Sequence, residues 1–105
     1  MTTEYVKLCA ESEIEEGQVK TFEIKDRPIA VARWQGSLFA LDNICTHDGG
    51  NLGDGDLVKG QIQCPRHGAR FDLQTGQVTR MPAVIGIEKY EIKIEDGDIY
   101  AAIPE

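Results

Sequence analysis

Four side chains that bind soft metals fall in two close pairs. Cys45-Thr46-His47 is followed, after sixteen residues, by Cys64-Pro65-Arg66-His67. Each pair offers one thiolate and one imidazole, donors that suit zinc, copper or iron. A tetrahedral zinc ion is one use for such a set. Zinc sites, however, commonly pair Cys with Cys and His with His, because each pair comes from one structural element. Mixed pairs suit two metal atoms, with both thiolates on one iron and both imidazoles on the other. A Cys–His nucleophilic pair is a third reading. No recognisable third residue accompanies it, and a second matched pair would be redundant. The remaining cysteine, Cys9, precedes the expected strands and lies far from both pairs, so it reads as a small buried side chain. The Gly-rich stretch from Asp48 to Gly60 lacks the Lys-Ser/Thr ending and following helix of a phosphate loop, and reads as loop geometry around the metal site.

The rest of the chain bounds what such a site can serve. Its 105 residues make one domain, expected to span 1–105. Three cysteines are too few for a disulfide scaffold. The net charge of −7 argues against a nucleic-acid binder, which needs a basic face, and against adsorption to an anionic membrane. No apolar run approaches the roughly 18–20 residues of a membrane span. No signal-like segment opens the chain, so a cytoplasmic location is expected. The acidity is uneven. Residues 1–42 carry five basic and eight acidic side chains, 43–83 carry four of each, and 84–105 carry two basic and six acidic. Arg66, Arg70 and Arg80 in the neutral middle segment form a candidate docking rim.

Short strands must position the pairs. Val19–Ile24 is a candidate strand with Phe22 and Ile24 on one face. Residues 28–34 read as a second, Gln35-Gly36-Ser37 as a turn, and residues 38–41 as the hairpin partner. Trp34 then reads as hairpin or core packing. Tyr90, Ile92 and Ile94 alternate with Glu91, Lys93 and Glu95, the period of one half-buried strand. Asp96-Gly97 is a hairpin turn and residues 98–103 the return strand. Residues 12–16 are the one expected helical turn, with Ser12 as its cap and Gly17 as its stop. The expected class is all-β. A β scaffold from residues 1–42 and 84–105 is split by an inserted, loop-built subdomain at about 43–83 that carries both pairs.

With the pairs and their flanks described, the chain resembles the Rieske-type ferredoxins over essentially its whole length. The resemblance rests on the C-x-H and C-x-x-H spacing, on Gly68 after the second His, and on the all-β setting. It implies the Rieske fold, an antiparallel β-sandwich or incomplete barrel with an inserted cluster-binding subdomain. It also implies one [2Fe–2S] cluster per chain, with Cys45 and Cys64 on the inner iron and His47 and His67 on the outer. Thr75-Gly76 with Pro82-Ala83 correspond to the family's third loop, whose proline covers the cluster, and Leu52 to its apolar shield. The implied function is electron transfer rather than catalysis. A soluble, monomeric carrier would take single electrons from an NAD(P)H-dependent flavin reductase and pass them to a terminal non-haem iron oxygenase of an aromatic-ring dioxygenase system. The alternatives are a small subunit of a nitrite-reductase-like assembly, a redox-sensing module, and a zinc-bound interaction module.

Two departures sharpen the expected potential. High-potential members of the family carry an extra Cys in each loop, joined as a disulfide, where this chain has Gly50 and Arg66. They also place a Ser and a Tyr where this chain has Ala69 and Phe71, which offer no hydroxyl. Fewer donors leave the reduced, more negative cluster less stabilised. The midpoint is therefore expected near the low end of the Rieske range, at about −150 mV. It is also expected to fall at alkaline pH, because the oxidised form makes the ligand imidazole N–H groups more acidic. Redox titration across pH checks both; a midpoint above zero contradicts the first and a pH-independent one the second.

Overall fold

The computed structural model describes residues 3–44, 52–65, 68–81 and 85–104. Four two-residue turns fold the chain back on itself. Lys25–Asp26, Gln35–Gly36, Lys59–Gly60 and Asp96–Gly97 have positive φ at both positions. That backbone matches the right-handed twist of the strands entering and leaving a tight hairpin. The strands are β1 (Thr3–Ala10), β2 (Val19–Ile24), β3 (Arg27–Trp34), β4 (Ser37–Asp42), β5 (Asp56–Val58), β6 (Gln61–Gln63), β7 (Arg70–Asp72), β8 (Val78–Arg80), β9 (Lys89–Tyr90), β10 (Ile92–Glu95) and β11 (Asp98–Pro104). They form three antiparallel sheets, ordered β1-β11-β10, β2-β3-β4-β9 and β5-β6-β7-β8. The described residues are thus the all-β arrangement expected, with short strands in the middle of the chain.

The second sheet is the middle layer. Side chains alternate across a strand, and β3 and β4 are apolar on both faces. Ile29, Val31 and Ala40 pack with Cys9, Ile14, Ile99, Ala101 and Ile103 on the side of the first sheet. Ala32 and Leu41, flanked by Trp34 and Phe39, pack with Ile62, Phe71 and Leu73 on the side of the third. Such a strand reads as an unbroken apolar run rather than an alternation, and Ile29, Ala30, Val31 and Ala32 are all fully buried. Trp34 therefore joins the hairpin to the third sheet, in keeping with the packing role expected of it.

A polar strap holds the β3–β4 hairpin from outside. The Glu16 carboxylate accepts the Gln35 and Gly36 backbone N–H groups at 2.6 and 2.9 Å, across the turn. The Arg33 guanidinium donates to the Ile14 and Glu11 carbonyls at 2.7 and 3.0 Å.

Three expectations need correction. The helical turn is a single 3-10 turn at Glu11–Glu13, in which Ser12 lies inside rather than capping. Its first exposed backbone donor, Ala10 N–H, is met by the Glu13 carboxylate instead, at 3.0 Å. The alternating run from Tyr90 to Glu95 is two strands, because the chain changes sheets there. Tyr90 pairs with Ala40 in the second sheet, whereas Ile92 pairs with Ala101 in the first. Cys9 lies within a scaffold strand, β1, rather than before the scaffold; it is a small buried side chain as expected.

The end of β4 is locked by a buried polar group. The Tyr90 hydroxyl donates to Asp42 Oδ1 and accepts from Arg27 Nη1 at 3.3 Å. Burial, and then the bond to Asp42, push the Tyr90 pKa up to about 12. An unfolded tyrosine ionises near pH ~10, so above that the unfolded chain releases a proton that the folded chain retains. The stability this group contributes is complete below about pH 10 and is lost as pH rises through about 12. Urea midpoints followed through this window are expected to fall, and Tyr90→Phe to flatten the fall relative to wild type. Truncating the two-faced hairpin by Leu41→Ala, at a fully buried site, is expected to cost about 2–5 kcal/mol in the same unfolding assay.

Candidate metal centre

Three loops project from the second and third sheets, and each is closed at its neck. The first leaves β4 through Asn43 and Ile44 and returns in a 3-10 turn, Leu52–Asp54. Asn43 N–H donates to the Pro28 carbonyl at 2.9 Å, which holds the outgoing stem on β3. Its side-chain Oδ1 accepts Gly53 N–H at 2.6 Å, linking the two ends of the loop. Cys45, His47 and Gly50 lie on this loop, outside the described residues.

The second loop joins β6 to β7. Cys64 N–H donates to the Ala69 carbonyl at 2.7 Å, and Gly68 N–H donates to the Cys64 carbonyl at 3.1 Å. Cys64 is thus bonded through both backbone groups at the root of a tight loop. Arg66 and His67, between these bonded residues, lie outside the described residues. The Cys64 side chain is 1% exposed and is a free cysteine. It packs in one apolar cluster with Leu52, Ala69 and Phe71. Leu52, expected as an apolar shield, is fully buried and belongs to the same cluster as Cys64. Ala69 and Phe71 present no hydroxyl to it.

The first and second loops are pressed together at Gly55. A Cβ there would lie 1.8 Å from the Gln63 carbonyl oxygen. Only glycine lets the chain returning from the first loop touch the residue before Cys64. The third loop is closed by Ile87 N–H donating to the Gly76 carbonyl at 2.7 Å. Gly76 has φ +76°, and a Cβ on it would come within 2.1 Å of the Ile87 carbonyl oxygen. The Asp72 carboxylate accepts Gln74 N–H and Thr75 N–H at 2.8 and 3.1 Å, shaping the turn just before it. Pro82 and Ala83, expected over the site, lie outside the described residues.

Of the four expected ligands, Cys64 is therefore the one whose surroundings are described. They suit a soft metal: a buried cysteine, an apolar cluster around it and a backbone bonded through both N–H and carbonyl. Cys9 sits in the other core, against the first sheet, where burial and then the Glu13 carboxylate push its thiol pKa up. It takes no part in the loops. Among the described residues, no group of three or more His, Cys, Asp or Glu side chains gathers as a rival metal site. Asn43 and Tyr90 are the supporting residues that sequence reasoning missed. The one signal for Asn43 was an amide at the end of an apolar strand, two residues before a ligand-type Cys.

Around the loops the exposed surface is mixed. Ile44, Met81 and Ile85, each in or beside a loop neck, are 39%, 75% and 66% exposed. Arg70 Nε donates to Gln63 Oε1 at 2.8 Å, and exposed Arg80 is its cross-strand neighbour. No helix among the described residues is long and apolar enough to cross a membrane.

Comparison with known proteins agrees with this architecture. The family model for the Rieske [2Fe–2S] domain matches residues 4–91. The ferredoxin component of a naphthalene 1,2-dioxygenase system from Pseudomonas putida is 35% identical over 96 residues, covering 91% of this chain and 92% of that protein. The solved ferredoxin of carbazole 1,9a-dioxygenase from Nocardioides aromaticivorans IC177 superposes with a TM-score of 0.91 at 26% identity, over 99% of this chain and 100% of its own. A chain in the solved complex of reduced oxygenase and oxidised ferredoxin in carbazole 1,9a-dioxygenase superposes with a TM-score of 0.87 at 29% identity, over 93% and 92%. With its three fastened loops, its buried Cys64 and these relatives of nearly its own length, the chain belongs to the Rieske [2Fe–2S] domain family.

Proposed function

We propose that Cys45, His47, Cys64 and His67 hold one [2Fe–2S] cluster, and that the protein is a one-electron carrier between a flavin-dependent, NAD(P)H-oxidising reductase and a terminal non-haem iron oxygenase. The single observation that carries this reading is the burial of Cys64 among Leu52, Ala69 and Phe71 at the root of a doubly bonded loop. Relatives named as ferredoxin components of dioxygenase systems support the oxygenase as recipient. The reductase is the donor that such a system requires. The chain acts as one domain, 1–105, with residues 43–83 as the cluster-bearing unit, and works as a cytoplasmic monomer.

The cluster supplies reversible one-electron chemistry when bound. The protein's own part is to hold and insulate it. Cys64 would supply a sulfur from the buried side, within the apolar cluster that includes the fully buried Leu52 and Phe71. Ala69 and Phe71 donate no side-chain hydrogen bond towards that sulfur, which favours the low-potential end of the family's range. Exposed Ile44, Met81 and Ile85 give the loop end an apolar rim, and residues 43–83 carry no net charge. A partner docked on such a rim gains from apolar contact more than from steering, whereas the acidic scaffold keeps the carrier soluble.

Purified protein is expected to be brown, with iron and acid-labile sulfide in equal amounts. After reduction by such a reductase, it is expected to be reoxidised by an aromatic-ring oxygenase only when that enzyme's substrate is present, at a rate that varies weakly with salt. Cys64→Ser is expected to abolish the chromophore. A colourless zinc protein overturns the cluster assignment. A Rieske spectrum without substrate-dependent reoxidation by any such oxygenase overturns the carrier role.

A further inference from the structure

The necks of the second and third loops are made by backbone atoms, Cys64 with Ala69 and Gly68, and Gly76 with Ile87. The first loop is linked across its ends through a side chain. Asn43 Oδ1 accepts Gly53 N–H at 2.6 Å, ten residues on. Asn43 is 9% exposed, and among the described residues it is the one buried side chain that is polar or charged, cysteine and tyrosine aside. Burying an amide is unfavourable unless its hydrogen bonds are made, so its place there calls for a task.

The two ends of this bond are anchored to different parts of the molecule. On the Asn43 side, Asp42 N–H donates to the Glu88 carbonyl and Asn43 N–H to the Pro28 carbonyl, both at 2.9 Å. The Asp42 carboxylate is also held by Tyr90. On the Gly53 side, Leu52 packs in the cluster that contains Cys64, and Gly55 presses on the Gln63 carbonyl. The Asn43–Gly53 bond thus joins the scaffold stem to the wall of the second loop, and it closes the segment that includes Cys45 and His47. Fixing the two ends of a loop removes much of the conformational freedom between them.

We propose that Asn43 is a positioning residue for the metal centre. Its side-chain oxygen clasps the first ligand loop, so that the loop's two ligands meet those of the second loop in one arrangement. The proposal rests on the cluster reading above and adds a residue to it. The property required at position 43 is a hydrogen-bond acceptor on a short side chain, which aspartate also supplies.

The test uses the purified holoprotein and three variants. Asn43→Leu keeps the volume and removes the acceptor, Asn43→Asp keeps the acceptor, and Val31→Ala weakens the opposite core as a stability control. Iron release to a ferrous chelator and the EPR spectrum of the reduced protein are the readouts. Asn43→Leu is expected to release iron about tenfold faster than wild type, as loss of a buried hydrogen bond implies, with broadened or shifted g values. Asn43→Asp is expected to restore the wild-type spectrum and to release iron within about twofold of wild type, because the bond is kept. Val31→Ala is expected to lower the unfolding midpoint and leave the g values unchanged. Where Asn43→Leu yields no holoprotein, Asn43→Ala, which also lacks the acceptor, is measured in its place, with faster release expected. A Leu or Ala variant with wild-type release and spectrum overturns the positioning role alone, as does an Asp variant that behaves like Leu. Wild-type protein without a mixed-ligand two-iron spectrum overturns the cluster reading, and the positioning role with it.

Discussion

Because β3 and β4 are buried on both faces, neither outer sheet can be displaced without exposing apolar surface on the middle one. Ile29 and Val31 need the first sheet, and Ala32 and Leu41 need the third. Each fully buried Ile, Val or Leu among them contributes about 1.5–3 kcal/mol relative to exposure. The hairpin is therefore the partner both outer sheets share. Its far end is the Gln35–Gly36 turn held by Glu16; its near end runs straight into the first loop through Asp42 and Asn43.

This arrangement separates two tasks. The first sheet, built from both ends of the chain, buries an apolar core that contains no loop-bearing residue and takes Cys9 out of reach of the metal centre. The third sheet has strands of three residues and gains its rigidity from glycine contacts and loop necks rather than from long ladders. It supplies the wall around Cys64. The acidity follows the same division, with the excess negative charge on the outer segments and none on residues 43–83.

The metal-binding chemistry was legible because it lies in residue identity and local spacing. Two mixed Cys/His pairs require no tertiary information to be recognised. Strands with a local partner were legible for the same reason. Val19–Ile24, and the return strand after Asp96-Gly97, carry their pattern and their turn within a few residues. What escaped detection depends on distant partners. β1 is held by β11 at the other end of the chain, and a register shift between Lys7 and Cys9 blurs its alternation. The break at Glu91 leaves the apolar alternation intact while the pairing partner changes from β4 to β11. The Lys25–Asp26 turn has left-handed backbone without a glycine to announce it. At the site, no local pattern marks Asn43 as a clasp, because its partner Gly53 lies across the loop.

The loop necks have one more effect. When an electron arrives, the charge of the centre changes by one, and every nearby dipole responds. Here the described necks of the three loops are fastened. Cys64 is bonded on both sides, Gly55 is wedged against Gln63, and Gly76 is bonded to Ile87. Preorganised surroundings spend little energy on reorganising during charge transfer. A cluster held by Cys45, His47, Cys64 and His67 on loops with such necks would exchange an electron over a lower barrier than one in a looser frame, so the backbone would share with the metal in setting the speed of exchange.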